Sequence, residues 1–115
     1  MSNEFNRMIF DVAHKAGHEA ATKVVPEPMM VVGDKQVWHV PEGMCGFAWV
    51  GFKGNTSFGR WALKNKLARK AYSGGLHLWV SDYEQSYDRK SAYASAFAQV
   101  LRNHGIDAYA DNRLD

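Results

Sequence analysis

Gly46-Phe47-Ala48-Trp49-Val50-Gly51-Phe52 is the most apolar run in the chain. It is too short for a globular helix of ordinary length, and its aromatic and β-branched side chains suit the pleated surface of a sheet. The run predicts a buried central strand, around which the other elements have to be arranged. Its glycines mark places where a neighbouring backbone comes close.

Toward the C-terminus, Lys53-Gly54-Asn55 reads as a turn, and Thr56 or Ser57 caps a short helix with Phe58, Trp61 and Ala62 on one face. Ser73-Gly74-Gly75 is a second turn. It leads into a strand, Leu76 to Val80, with Leu76, Leu78 and Val80 on one face and His77 and Trp79 on the other. Ser86 or Asp88 caps a helix that runs to about His104, with Tyr93, Phe97, Val100, Leu101 and His104 as its buried stripe. Gly105 supplies a left-handed stop, and Ile106 to Ala110 is a last strand before a polar tail.

Toward the N-terminus, Met29–Val32 and Gln36–Val40 pair as a hairpin about Gly33-Asp34-Lys35. Pro26 and Pro28 stop a helix predicted from about Asn3 to Lys23. On that helix Phe5, Met8, Ile9, Val12, Ala13 and Ala16 recur at the spacing of a buried face, with Arg7, Asp11, His14, Lys15 and His18 opposite. The expected order is αβββαβαβ. It implies one α+β or α/β domain over residues 1–115, with three helices on a mixed sheet of about five strands.

With 115 residues, 46% hydrophobic and 23% charged, the chain has the balance of a globular domain with one core. It shows no membrane-length apolar run and no secretory leader, and Cys45 is its single cysteine. A host-cell cytoplasmic location and no membrane partner are therefore expected. No cofactor is expected either. His14 and His18 share a helix face with Asp11, but a closed zinc site needs four ligands and nothing supplies the rest, so no metal site is predicted. Cys45 reads as a small buried hydrophobe.

Charge is unevenly distributed. From Gly43 to Ser81 there is no acidic residue, while Lys53, Arg60, Lys64, Lys66, Arg69 and Lys70 fall inside that span. Such a segment suits a surface that meets phosphate or an acidic protein. With Trp61 available for stacking, these six cations are the candidate contacts for nucleic acid or an acidic host protein. The Gly54-Asn55-Thr56-Ser57 turn, between a strand and a helix N-terminus, is the candidate anion site, although it fits no nucleotide-binding fingerprint. Tyr83, Tyr87 and Tyr93 gather at the start of the long helix, a junction where ligand pockets occur.

Cys45-Gly46-Phe47-Ala48-Trp49-Val50, Ser57-Phe58-Gly59-Arg60-Trp61, Tyr72-Ser73-Gly74-Gly75, Gln85-Ser86-Tyr87-Asp88-Arg89-Lys90 and the closing Gly105-Ile106 and Arg113-Leu114-Asp115 give the chain a further character. Over roughly residues 36–115 it resembles a family of small accessory proteins of bacteriophages and other mobile elements. The resemblance implies an accessory role and brings no catalytic residues. The expected function is a non-enzymatic binding module acting through the basic segment. Two alternatives stand beside it. One is a nucleotide-handling protein or hydrolase using the Gly54–Ser57 turn, with a histidine such as His77 as acid/base. The other is a structural or assembly protein.

Overall fold

A computed structural model describes residues 3–24, 29–32, 37–40, 46–83 and 86–114, the strands at 29–32 and 37–40 in their backbone alone. Cys45 and the proline stop after the first helix lie outside the described residues. The elements are α1 (Asn3–Lys23), β1 (Met29–Val32), β2 (Val37–Val40), β3 (Gly46–Phe52), α2 (Ser57–Lys64), β4 (Arg69–Lys70), β5 (Leu76–Trp79), α3 (Tyr87–Asn103) and β6 (Ala108–Leu114). The fold is α+β. Among the described residues, no helix is long and apolar enough to cross a membrane.

Strand β3 is central, as its composition requires. It pairs antiparallel with β5 on one side and with β6 on the other, and β4 completes a four-stranded sheet in the order β4-β5-β3-β6. The expected mixed sheet of about five strands is thus corrected to an antiparallel one of four, and β1–β2 forms a separate antiparallel hairpin. The order αβββαβαβ becomes αβββαββαβ, because Arg69–Lys70 is a strand. Helical crossovers do join strands that run in the same direction, β3 to β4 through α2 and β5 to β6 through α3. In each case an antiparallel strand lies between the two, which makes two interleaved split βαβ units.

The core lies on one face of this sheet. Ala48, Val50, Phe52, Leu76 and Leu78 point into it and meet Phe58, Trp61 and Ala62 of α2 and Tyr93, Ala94, Phe97 and Leu101 of α3, all at or below 7% exposure. Ser86 caps α3 by accepting from the Arg89 amide at 3.3 Å, and Gly105, at φ 79°, ends the helical segment.

Helix α1 packs against α3 and α2 through a line that shares Ile9 and Ala13 with the expected apolar face and departs from it elsewhere. Asn6, Ile9, Ala13, Gly17 and Ala21 are buried, while Phe5, Met8 and Val12 of the expected face are exposed. Close approach explains the choice. A Cβ on Gly17 would lie 2.7 Å from the Tyr93 ring, so the contact selects small residues. Asn6 is admitted because its side-chain amide donates to Ser57 Oγ at 3.1 Å.

Candidate functional site

The period-two alternation that buries one face of the sheet lays out the other. Phe47, Trp49 and Gly51 of β3 face away from the helices, as do His77 and Trp79 of β5 and Tyr109, Asp111 and Arg113 of β6. Trp49 and Trp79 are register partners whose ring centroids lie 4.7 Å apart. Trp49 also stacks on His77 at 5.5 Å and 29°, and Phe47 meets Trp79 edge-on at 6.4 Å.

Gly51 lets the row continue into β6. A Cβ there would fall 2.2 Å from the Tyr109 ring, so the phenol lies across the glycine and its oxygen comes within 3.3 Å of His77 Nε2. Five rings thus tile the two central strands and their neighbour. Trp79 is 41% and Tyr109 48% exposed, so the row presents contiguous apolar surface to solvent. The Trp49 indole N–H is enclosed without an acceptor among the described residues.

Cations border the row. The Arg113 guanidinium sits 5.2 Å from the Phe47 centroid, a cation–π distance, and Lys90 Nζ lies 5.7 Å from the same ring. Exposed Arg69 is the register partner of His77 and so shares its face, and exposed Lys53 directly follows β3. Burial lowers the His77 pKa below its ordinary value, and the Asp111 carboxylate pulls partly the other way. Near neutrality this imidazole is an uncharged stacking ring.

A cavity of about 390 Å³ opens beside the row. Strand β4 pairs with β5 at Arg69↔His77 and Lys70↔Leu76, so among the described residues no strand lies beside the outer edge of β5 beyond His77. Through this gap the cavity runs from His77, Trp79 and Arg69 inward to Phe10, His14 and Tyr93. Tyr93 Oη is 2.6 Å from His14 Nδ1. Burial raises the Tyr93 pKa far above the phenol range, helped by nearby Tyr83 and Asp82. The hydroxyl therefore stays protonated, and Tyr93 and His14 share one hydrogen bond whose direction follows the imidazole tautomer. His18 makes the matching contact with Tyr83 Oη at 2.8 Å. Both histidines, expected on the polar face, thus serve contacts with tyrosines. Among the described residues no three metal-ligating side chains converge.

The basic segment does not form one surface. Lys53 and Arg69 border the aromatic face, Lys66 and Arg69 line the cavity, and exposed Lys70 points from edge strand β4 toward the opposite face. Arg60 and Lys64 stand on α2, where with Glu4 and Arg7 of α1 they line a separate, more open hollow. Trp61, expected as a stacking residue, is 7% exposed and packs on Phe58 and Phe10 at 5.7 and 6.1 Å.

The Gly54-Asn55-Thr56-Ser57 turn is built as a helix cap. Thr56 Oγ1 accepts from the Gly59 amide at 2.9 Å and lies 3.2 Å from the Lys53 carbonyl, while Arg60 Nη1 donates to the Asn55 carbonyl at 3.1 Å. Gly59 is required, since a Cβ would lie 2.1 Å from the Lys53 carbonyl oxygen.

Sequence reasoning did not select Phe47, Trp49, Trp79, Tyr109 or Arg113. The signal for the first three was present, because strands β3 and β5 alternate small or aliphatic inward residues with aromatic outward ones. Tyr109 and Arg113 join only through the β3–β6 register. No family model, no curated protein and no solved structure matches this chain.

Proposed function

We propose that the protein is a non-enzymatic binding module for single-stranded nucleic acid, and that the strand lies across the aromatic face of the sheet. The supporting observation is the five-ring row of Phe47, Trp49, His77, Trp79 and Tyr109, two of whose members are nearly half exposed. Bases offer π-faces to such rings, and each stacked base contributes about 1–3 kcal/mol whatever its sequence. Lys53, Arg69 and Arg113 at the borders neutralise phosphates. A duplex hides its base faces and cannot use the rings. Four-stranded sheets that read RNA by stacking bases on their central strands offer an analogy of architecture. The resemblance to phage and mobile-element accessory proteins adds a setting for this activity and no residues to it.

The test is a salt titration of binding to fluorescent single- and double-stranded oligonucleotides of one sequence. Single strands should bind more tightly than duplex. Three neutralised phosphates should give a slope of about −2 in log K against log salt. Arg113→Glu should weaken binding and flatten the slope, while Arg60→Glu/Lys64→Glu, on the helical side, should change it much less. Absence of binding at low salt, or a duplex bound as tightly as the single strand, overturns the reading.

A further inference from the structure

The cavity at the open edge of β5 shares His77, Trp79 and Arg69 with the aromatic face, so a strand lying on that face can lead into it. Phe10 and His14 of α1 and Tyr93 of α3 line it from the helical side. Its volume of about 390 Å³ falls within the usual range of small-molecule sites. We propose that this cavity holds the phosphorylated terminal nucleotide of the strand bound on the sheet, an inference that rests on the function proposed above.

The chemistry of the lining fits that group. Lys66 and Arg69 provide two positive charges, and Ser81 provides a hydroxyl donor. A terminal phosphomonoester carries close to two negative charges at neutral pH where an internal diester carries one, so a pair of cations favours the end of the strand. Phe10, Trp79 and Tyr93 offer ring surface to a base, and the Asp82 carboxylate can accept from an amino or ribose hydroxyl group.

An independent observation concerns how Lys66 is held. Helix α2 ends in a Schellman motif, with the Lys66 amide donating to the Leu63 carbonyl at 3.1 Å and the Leu67 amide to the Ala62 carbonyl at 2.9 Å. The residue at the left-handed position of that motif is ordinarily glycine, but here it is Lys66, at φ 61°. Among the described residues Lys66 and Tyr83 are the two non-glycine positions with positive φ, and Lys66 lines this cavity. Its left-handed backbone is held by the two hydrogen bonds of the motif.

The experiment measures one fluorescent oligonucleotide in three forms, with a 5′-phosphate, with a 3′-phosphate, and with hydroxyls at both ends. It uses the full chain and Lys66→Gly, a change that removes the charge and relieves the left-handed strain, so the variant should be at least as stable as the parent. The parent should bind one phosphorylated form about tenfold more tightly than the hydroxyl form. Lys66→Gly should lose that preference and keep its affinity for the hydroxyl form within about threefold. Equal binding of all three forms by the parent overturns the inference and leaves the sheet-face reading intact. If no oligonucleotide binds, the sheet-face reading fails, and calorimetric titration with nucleoside 3′- and 5′-monophosphates decides the cavity by itself. Binding weakened by Lys66→Gly sustains it, and absence of binding overturns it.

Discussion

The two faces of the four-stranded sheet are built from the same strands and the same register, yet they spend their aromatic residues differently. On the helical face, Phe52 and Phe58 pack at 5.3 Å and both are buried, as is Phe97 between Phe10 and Tyr93. On the open face, Trp49, Trp79, His77 and Tyr109 make comparable ring-to-ring contacts, but two of the four are left about half in solvent. Burial is what turns an aromatic contact into folding free energy, at ~25 cal/mol per Å² of apolar area. Rings that remain exposed keep that free energy in reserve for whatever covers them. The inner face holds the fold together, and on the function proposed above the outer face keeps its rings for a bound strand.

The largest effect that tests this division is on stability. Phe97→Ala should cost about 3–5 kcal/mol in a denaturant titration, since it empties a fully buried site. Trp79→Ala should cost clearly less, because about two-fifths of that residue is already in solvent. In binding to a single-stranded oligonucleotide the order reverses: Trp79→Ala should lose about 1–3 kcal/mol, or roughly 5- to 150-fold. If Trp79→Ala destabilises the fold as much as Phe97→Ala, the outer row is a second core and the comparison collapses.

Gly51 offers a sharper probe of intermediate size. In Gly51→Ala the new methyl occupies the space of the Tyr109 ring, which has to swing off the strand and away from His77. Overpacking of this kind costs about 1–3 kcal/mol. The cost should vanish in Gly51→Ala/Tyr109→Ala, which should be as stable as Tyr109→Ala alone, because the obstacle has been removed. Additive losses in the double variant would mean that Tyr109 does not lie across Gly51.

The same contrast explains what was legible in the sequence. Strand β3, the caps at Thr56 and Ser86 and the stop at Gly105 follow from local chemistry, and they stand where the residues put them. Strand β4 does not follow from local chemistry, since Arg69 and Lys70 have no preference for extended structure and become a strand only because β5 lies beside them. Asp111–Leu114 reads as a polar tail, yet it pairs with Gly46–Trp49 and extends β6. For α1, apolar residues recur widely enough to offer two faces, and the fit of Gly17 against Tyr93 chose between them. The aromatic face was hidden for a related reason: an apolar run such as Gly46–Phe52 reads as buried on both sides, and periodicity does not reveal that the helices pack on one side of it. The cavity was beyond reach altogether, because its lining comes together from α1, α3, β5 and the segments around β4.

The smallest expected effect is a dependence on pH, and it separates the faces by charge. The folded state lowers the His77 pKa from 6.5, chiefly through burial among the rings, with Asp111 opposing. Well above pH 6.5 the imidazole is neutral in both folded and unfolded chains, and it contributes no pH dependence there. As pH falls below that value, the unfolded chain takes up the proton first, so stability declines until the folded value has been passed, and then levels off. Urea midpoints at about pH 8 and about pH 5 should therefore differ less in His77→Gln than in the parent. Asp111→Asn removes the carboxylate that favours the charged ring and should steepen the decline. A decline unchanged by His77→Gln would place the responsible proton elsewhere, and would mean that the row tolerates a charged imidazole as readily as water does.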